Sequence, residues 1–257
     1  MKPPALQPRM LPAPEPCAVL AASLVGGRAR EAIAERGHFR FALPGGRSPR
    51  ALLQRLVATT LERPEKLDWS RVEVFFVDER ALPPEHPDSN FRMVDEVLLQ
   101  PLGAAAPKVH RMCGEAMDLE AAAAEYAALL ERPLDLAILG IGEDGHVASL
   151  FPGSAWLDEQ EARVAVVRDS PKPPPTRLTV LPRVLTEAGA VIGLAIGADK
   201  AEAFRRLYDE TDPVGVPARV CPAATWICDE AAGMLQLREH EQRFDARSRA
   251  ARERAGE

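Results

Sequence analysis

Residues 134–154, LDLAILGIGEDGHVASLFPGS, constrain the fold more than any other stretch of this chain. Leu134, Leu136, Ile138 and Leu139 form a short apolar run of the kind buried on both faces of a parallel sheet. The run then breaks into Gly140, Gly142 and Gly145. Glycine at that density means a backbone that turns sharply or lets a ligand come close. Glu143, Asp144 and His146 lie inside the break. An open α/β sheet binds its ligand outside the carboxyl ends of its strands, so carboxylates and an imidazole at such an end mark a candidate site. Two readings stand for Asp144 and His146: they cap and solvate a turn, or they carry chemistry.

The same grammar recurs along the chain. Phe39–Leu43, Val72–Val77, Arg163–Val167, Leu178–Leu181, Ala190–Ile196 and residues 223–228 read as strands. Helical spacing covers Ala18–Arg36 with Gly37 as C-cap, Ser48–Leu61 with Ser48 as N-cap and Pro49 first in the helix, Asn90–Gln100, residues 118–131 with Asp118 as N-cap, a turn at Pro182–Ala188, and Asp199–Tyr208. Strands alternating with helices predict a doubly wound, mostly parallel sheet with helices on both faces, in a single domain. The expected organisation is a proline-rich lead-in over 1–16, the α/β domain over 17–233, and a charged tail over 234–257.

Composition excludes several classes. The 257 residues carry a net charge of −6, which argues against a nucleic-acid or anionic-membrane surface. No stretch approaches 18 consecutive apolar residues, and the start lacks a secretory signal pattern. Cys17, Cys113, Cys221 and Cys228 show neither CxxC spacing nor a disulfide framework, as in a cytoplasmic protein with reduced thiols. The five histidines show no metal spacing. A phosphate-binding GxxxxGK[ST] is absent, and GIGEDG leads to a histidine rather than into a helix.

Three further segments carry candidate chemistry. PGGRSP, between a strand and a helix, is an anion-type loop: Gly45 and Gly46 expose backbone N–H groups, the helix adds its dipole, and Arg47 and Ser48 add donors. Its plain alternative is an ordinary βα turn. VDER places Asp78, Glu79 and Arg80 at a strand end, where Arg80 either pairs with the acids or faces an anion or oxyanion. Asn90 reads as an N-cap or a ligand contact. Arg177 follows the stiff SPKPPPT segment, and Lys200 opens a helix after a strand, as an anion site or a surface lysine.

ALPGGRSP, VDERALPPEHPDSNFRM, LDLAILGIGEDGHVASLFPGS, PKPPPTRLTV and IGADKAEAF occur in this order. Together, over about residues 18–232, they resemble the 6-phosphogluconolactonase family of the glucosamine-6-phosphate isomerase/6-phosphogluconolactonase superfamily. The resemblance implies hydrolysis of 6-phospho-D-glucono-1,5-lactone to 6-phosphogluconate in the oxidative pentose phosphate pathway, without metal or organic cofactor. It implies His146 as general base on water, Asp144 as the acid that orients it, and Arg80 near the reacting end. Gly45, Gly46 and Ser48, with Arg177 and Lys200, match the groups around the sugar phosphate. Arg47 stands where the family usually has serine. The implied partner is a small-molecule sugar-phosphate lactone, with no nucleic acid and no membrane, and the chain is expected to be a cytoplasmic monomer or small homo-oligomer.

A lactone is an activated ester, so water, a base and help for the oxyanion suffice. Imidazole titrates in the right range for that base. Two alternatives remain. The deaminase branch of the fold carries glutamate five residues after the histidine and MDEY in the earlier segment, where this chain has Phe151 and VDER. A non-catalytic sugar-phosphate sensor would need a basic helix-turn-helix module, for which the first 16 residues leave no room.

Overall fold

A computed structural model describes residues 8–63, 67–208 and 215–235. β1 (Arg9–Leu11) leads into α1 (Pro14–Arg36), β2 (Phe39–Leu43) into α2 (Arg47–Glu62), and β3 (Val72–Phe76) into β4 (Asp78–Arg80). α3 (Asn90–Val94) passes through a π-helical turn, Asp95–Leu99, into α4 (Gln100–Leu102). Then come β5 (Lys108–Val109), α5 (Leu119–Leu129), β6 (Leu136–Gly140), β7 (Val164–Val167), β8 (Arg177–Val180), α6 (Pro182–Glu187), β9 (Val191–Ala195), α7 (Ala201–Tyr208) and β10 (Thr225–Asp229).

Seven strands form one parallel sheet in the order β1-β10-β9-β6-β2-β3-β5. The chain builds outward from β2 through β3 to β5, returns to the other side of β2 with β6, and builds outward through β9 and β10. Its direction therefore reverses between β2 and β6, and a doubly wound sheet opens a crevice at such a reversal. Right-handed crossovers place the helices of the two halves on opposite faces. α1 and α2 come from crossovers that run the same way, and they pack on each other. The apolar runs are buried as expected: every residue of β2 and β9 is buried.

One buried residue of β2 is charged. The Arg40 guanidinium donates to the carbonyls of Leu129, Arg132 and Pro133 and lies 4.6 Å over the Phe75 ring. Those carbonyls follow the last turn of α5, where the helix dipole favours a cation. Asp135 accepts from the Arg40 backbone N–H. Arg40 thus fastens α5 to the centre of the sheet.

The structure differs from the sequence reading at several points. β7 and β8 leave the main sheet and pair antiparallel with each other and with β4 in a second sheet of order β4-β8-β7. Val77 is the junction: its N–H donates to Leu43 O in the main sheet, and its carbonyl accepts from Val180 N in the small one. The lead-in is not featureless, because β1 pairs in parallel with β10 and α1 begins at Pro14. Gly26 and Gly27 lie inside one continuous helix, which ends at Gly37 as expected, with φ 80° and its N–H bonded to Ile33 O. Ser48 is not the N-cap of α2; Gly46, with φ 106°, takes that position, and Arg47 is already helical. Ser89 rather than Asn90 caps α3, its hydroxyl accepting from Arg92 N. Asp118 caps α5 as expected. Residues 230–235 are helical, and the rest of the expected charged tail lies outside the described residues. Among those residues no helix is long and apolar enough to cross a membrane.

Trp226 in β10 is among the largest fully buried side chains, and Gly193 in β9 is its registered neighbour. A Cβ on Gly193 would overlap the indole, whereas one on Gly27 would meet nothing within 4 Å. Gly193→Ala is therefore expected to lose about 1–3 kcal/mol by overpacking, and Gly27→Ala to gain about 0.5–1 kcal/mol by removing a helix-interior glycine. Thermal unfolding of the two variants checks this; Tm shifts of the same sign would contradict it.

Candidate active site

The loops at the carboxyl ends of β2, β6 and β9 surround a cleft of about 560 Å3 at the reversal point. Eight of the nine residues named with the family resemblance line it: Gly45, Gly46, Arg47, Ser48, Arg80, His146, Arg177 and Lys200. The ninth, Asp144, stands behind His146.

The loop after β6 is folded by its glycines. Gly142 N–H donates to His146 O, and Gly145, at φ 90°, donates back to Gly142 O. This closes a tight turn that brings His146 Nδ1 to 2.5 Å from Asp144 Oδ1. Burial works against the ionised form of Asp144. The hydrogen bond from the His146 ring, that ring's charge and the His146 backbone N–H outweigh it and hold the carboxyl well below the usual range. An ionised carboxylate only accepts hydrogen bonds, so Nδ1 must carry the proton of this contact, which leaves the lone pair of the neutral ring on Nε2. Among the described residues Nε2 has no hydrogen-bond partner. The ring packs on Phe151, with centroids 4.7 Å apart. Ala148 follows in the left-handed region, at φ 50°. A non-glycine residue there costs roughly 1–3 kcal/mol, and it turns the chain so that Ser149 reaches back under the cleft.

Beneath the site lies a buried polar junction. Asp78 Oδ2 accepts from Ser149 Oγ at 2.8 Å, and Asp78 Oδ1 and O both accept from Asn90 Nδ2. Glu79 accepts from the backbone N–H groups of Arg80, Asn90 and Phe91 and from Ser89 Oγ, so it seals the start of α3. Burial raises the Glu79 pKa against those bonds. Asn90 presses on the anion loop: a Cβ on Gly45 would overlap its side-chain oxygen. Arg80 is held by the carbonyl of Asp88, while its Nε is buried with no partner.

The loops after β2 and β9, the strands on either side of β6, meet through Arg47 and Asp199. Asp199 Oδ2 lies 3.3 Å from Arg47 Nη2 and 3.1 Å from Lys200 Nζ, so one carboxylate gathers two cations at the mouth of the cleft. Arg47 and Ser48 are the first residues of α2, whose opening N–H groups have no partners within the helix. Gly197 N–H is not free for a ligand, because both oxygens of Asp229 accept from it. Arg177 lines the cleft yet is buried, with four donor contacts to protein: Pro174 O, Lys172 O, Pro173 O and Ser149 Oγ. Its geometry ties down the proline segment more than it offers a fork to a phosphate.

Three lining residues were not among the candidates of the sequence reading: Lys172, Asp199 and Cys17. Lys172 had a signal, as one of only five lysines and a neighbour of a rigid proline run. Cys17 had none, since only the packing of α1 on the sheet brings it to the wall. Burial, then the nearby Asp229, push its thiol up to about 11. It is therefore a thiol at neutral pH and not a nucleophile. Among the described residues no group of three His, Cys, Asp or Glu side chains is placed to hold a metal ion.

A doubly wound sheet whose switch-point cleft is lined by a histidine, backed by an aspartate, and by five cations defines an α/β protein with a positively charged site. The profile described as glucosamine-6-phosphate isomerases/6-phosphogluconolactonase matches residues 12–227, and the chain belongs to this family. The 6-phosphogluconolactonase of Rattus norvegicus is 36% identical over 83% of this chain and 87% of its own length. A 6-phosphogluconolactonase structure from Shewanella baltica superposes with TM-score 0.77 at 24% identity, covering 88% of this chain and 99% of that one. A monomeric glucosamine-6-phosphate deaminase superposes with TM-score 0.76 at 22% identity, covering 90% and 100%. The fold is thus common to both branches, and the separation between them lies in the sequence.

A Cβ on Gly142 would overlap the His146 ring and stand 2.6 Å from Asp144 Oδ1. Gly142 has no positive φ, so alanine there disturbs the side-chain pair rather than the backbone. Gly142→Ala is expected to lower kcat by about 10²-fold or more, the scale of a displaced general base, with a Tm close to the parent. Steady-state kinetics beside thermal unfolding would test this, and an unchanged kcat would contradict it.

Proposed function

We propose that this chain hydrolyses 6-phospho-D-glucono-1,5-lactone to 6-phosphogluconate, by general-base activation of water at His146, in the cytoplasm and within the oxidative pentose phosphate pathway. The observation that carries the reading is the His146–Asp144 pair in a cleft that Arg47 and Lys200 also line. Family membership and the identity to a named lactonase support the same activity.

Water attacks C1 of the lactone as Nε2 takes its proton. The carbonyl π pair moves onto the carbonyl oxygen. When that pair returns, the bond from C1 to the ring oxygen breaks and the ring oxygen receives the proton, leaving a carboxylic acid and the C5 hydroxyl. Asp144 fixes the ring tautomer and offsets the charge that develops on the imidazole. Phosphate held at Gly45, Gly46, Arg47, Ser48 and Lys200 orients the lactone from a distance. Arg80, with an unpartnered Nε in the cleft wall, is the arginine of the reacting end. The deaminase reading is disfavoured by Phe151, whose tilted ring packs against His146 at the position where that branch carries glutamate.

His146→Ala is expected to lower kcat for freshly generated 6-phosphogluconolactone by about 10²- to 10⁴-fold with little change in KM. Near-parental turnover in the folded variant, followed by proton release, would sink the mechanism.

Lys200→Ala should reduce kcat/KM for the phosphorylated lactone by about tenfold to a hundredfold, the worth of one charge-assisted contact. It should leave unphosphorylated glucono-δ-lactone nearly untouched. Equal losses on the two substrates would move the phosphate away from Lys200.

A further inference from the structure

Five cations line the cleft: Arg47, Arg80, Lys172, Arg177 and Lys200. Arg47 and Lys200 share Asp199, Arg80 holds Asp88 O, and Arg177 is turned onto protein oxygens. Lys172 is different. Its backbone is held on every side, while among the described residues its ammonium has neither a hydrogen-bond nor an ion-pair partner.

The segment that carries Lys172 is fixed by short-range contacts. Ser170 N–H donates to Pro175 O, Ser170 Oγ donates to Lys172 O, and Lys172 N–H donates back to Ser170 Oγ. Arg177 then grips the carbonyls of Lys172, Pro173 and Pro174 at 3.1 Å each. The position of this clamp is itself set by the catalytic loop. Arg177 Cζ stands 5.7 Å from the centroid of the Phe151 ring, whose other contact is the His146 ring at 4.7 Å. His146, Phe151, Arg177 and the Lys172 carbonyl therefore form one contiguous chain of contacts. Lys172 and His146 line the same cleft, and the charge of Lys172 is the last of the influences that favour the ionised form of Asp144.

We propose that Lys172 is a catalytic residue that meets the lactone carbonyl oxygen and stabilises the oxyanion, and that Arg177 is the positioning residue that holds it there. The inference rests on the lactonase reading above. A cation carried on a fixed backbone and with no protein partner is free to meet the oxygen and strengthens its contact as charge develops. Arg177 fits the supporting role because its planar fork addresses several carbonyls at once, which a lysine cannot do. The arrangement also explains why a buried arginine, 4% exposed, is turned toward neutral carbonyls rather than toward a carboxylate.

The test compares Lys172→Met, Lys172→Arg, Arg177→Lys and the double variant Lys172→Met/Arg177→Lys with the parent. Each is assayed on 6-phosphogluconolactone and glucono-δ-lactone, with inorganic phosphate as competitive inhibitor. Lys172→Met is expected to lower kcat on both lactones by about 10²-fold while leaving inhibition by phosphate unchanged. Lys172→Arg should recover a substantial part of the loss, which a merely structural role would not allow. Arg177→Lys should lose rate equally on both lactones, and the double variant should fall no further than Lys172→Met alone. Lys172→Met is the decisive arm should the Arg177 variants unfold, since its side chain is not part of the buried network. Parental kcat in Lys172→Met, or a loss confined to the phosphorylated lactone with weakened phosphate inhibition, would overturn the proposal. A parent protein inactive on both lactones would overturn the lactonase reading as well, so the two failures are distinct.

Discussion

The Asp78 carboxylate is the point on which the arrangement of the site depends. Its strand has just left the main sheet at Val77, its oxygens take up Asn90 at the start of α3 and Ser149 behind the histidine loop, and Ser149 Oγ also accepts from Arg177. Hydrogen bonds to a charged group are worth about 1.5–3 kcal/mol each, and an unpaired buried charge is severely penalised. The junction therefore holds together as a unit or not at all. It locks four elements from distant parts of the chain into one frame: the end of β3, the opening of α3, the loop after β6, and β8.

That frame explains the division of labour around the cleft. Most polar groups below the floor are satisfied by one another, as in the Glu79 cap of α3 and the Arg177 clamp on the proline segment, while Asn90 Oδ1 and Arg80 Nε are buried without a partner. Groups of the cleft lining are left with capacity to spare: His146 Nε2, the N–H groups opening α2, and the Lys172 ammonium. Asp199 is intermediate. It holds Arg47 and Lys200 together across the mouth, so an anion arriving there meets two cations already side by side and must compete with one carboxylate for them. Exposed pairs of this kind contribute little to stability, which makes such an exchange inexpensive.

The elements that were legible in the sequence are those with local causes. The run from Leu136 to Gly140 reads as a buried strand because its side chains leave no polar face, and it is one. Gly37 ends α1 because it can adopt a left-handed conformation, and Asp118 starts α5 because its side chain caps the first turn. Local rules failed where a neighbour decides. Ser48 has the chemistry of an N-cap, but Gly46 reaches the required backbone first. Asn90 has it too, but Asp78 claims its side chain. β7 and β8 carry strand-forming residues without any mark of which sheet they join, since the choice lies with Asp78–Arg80, about a hundred residues earlier.

By itself the sequence determined the class of fold and the identity of the residues that reach the carboxyl edge. Both follow from periodicity, glycine placement and side-chain chemistry over a few residues, whereas the coupling of Asp144 to His146 was implied by the family resemblance. Only the tertiary structure decided how those residues divide. It joined Arg47 and Lys200 through Asp199, it turned the Arg177 guanidinium onto the carbonyls of the proline segment, and it put Phe151 against the imidazole. The physical reason is that an arginine, lysine or carboxylate side chain has several possible partners of similar strength. Which one it takes depends on what the packing of distant strands brings within about 3 Å, the reach of a hydrogen bond.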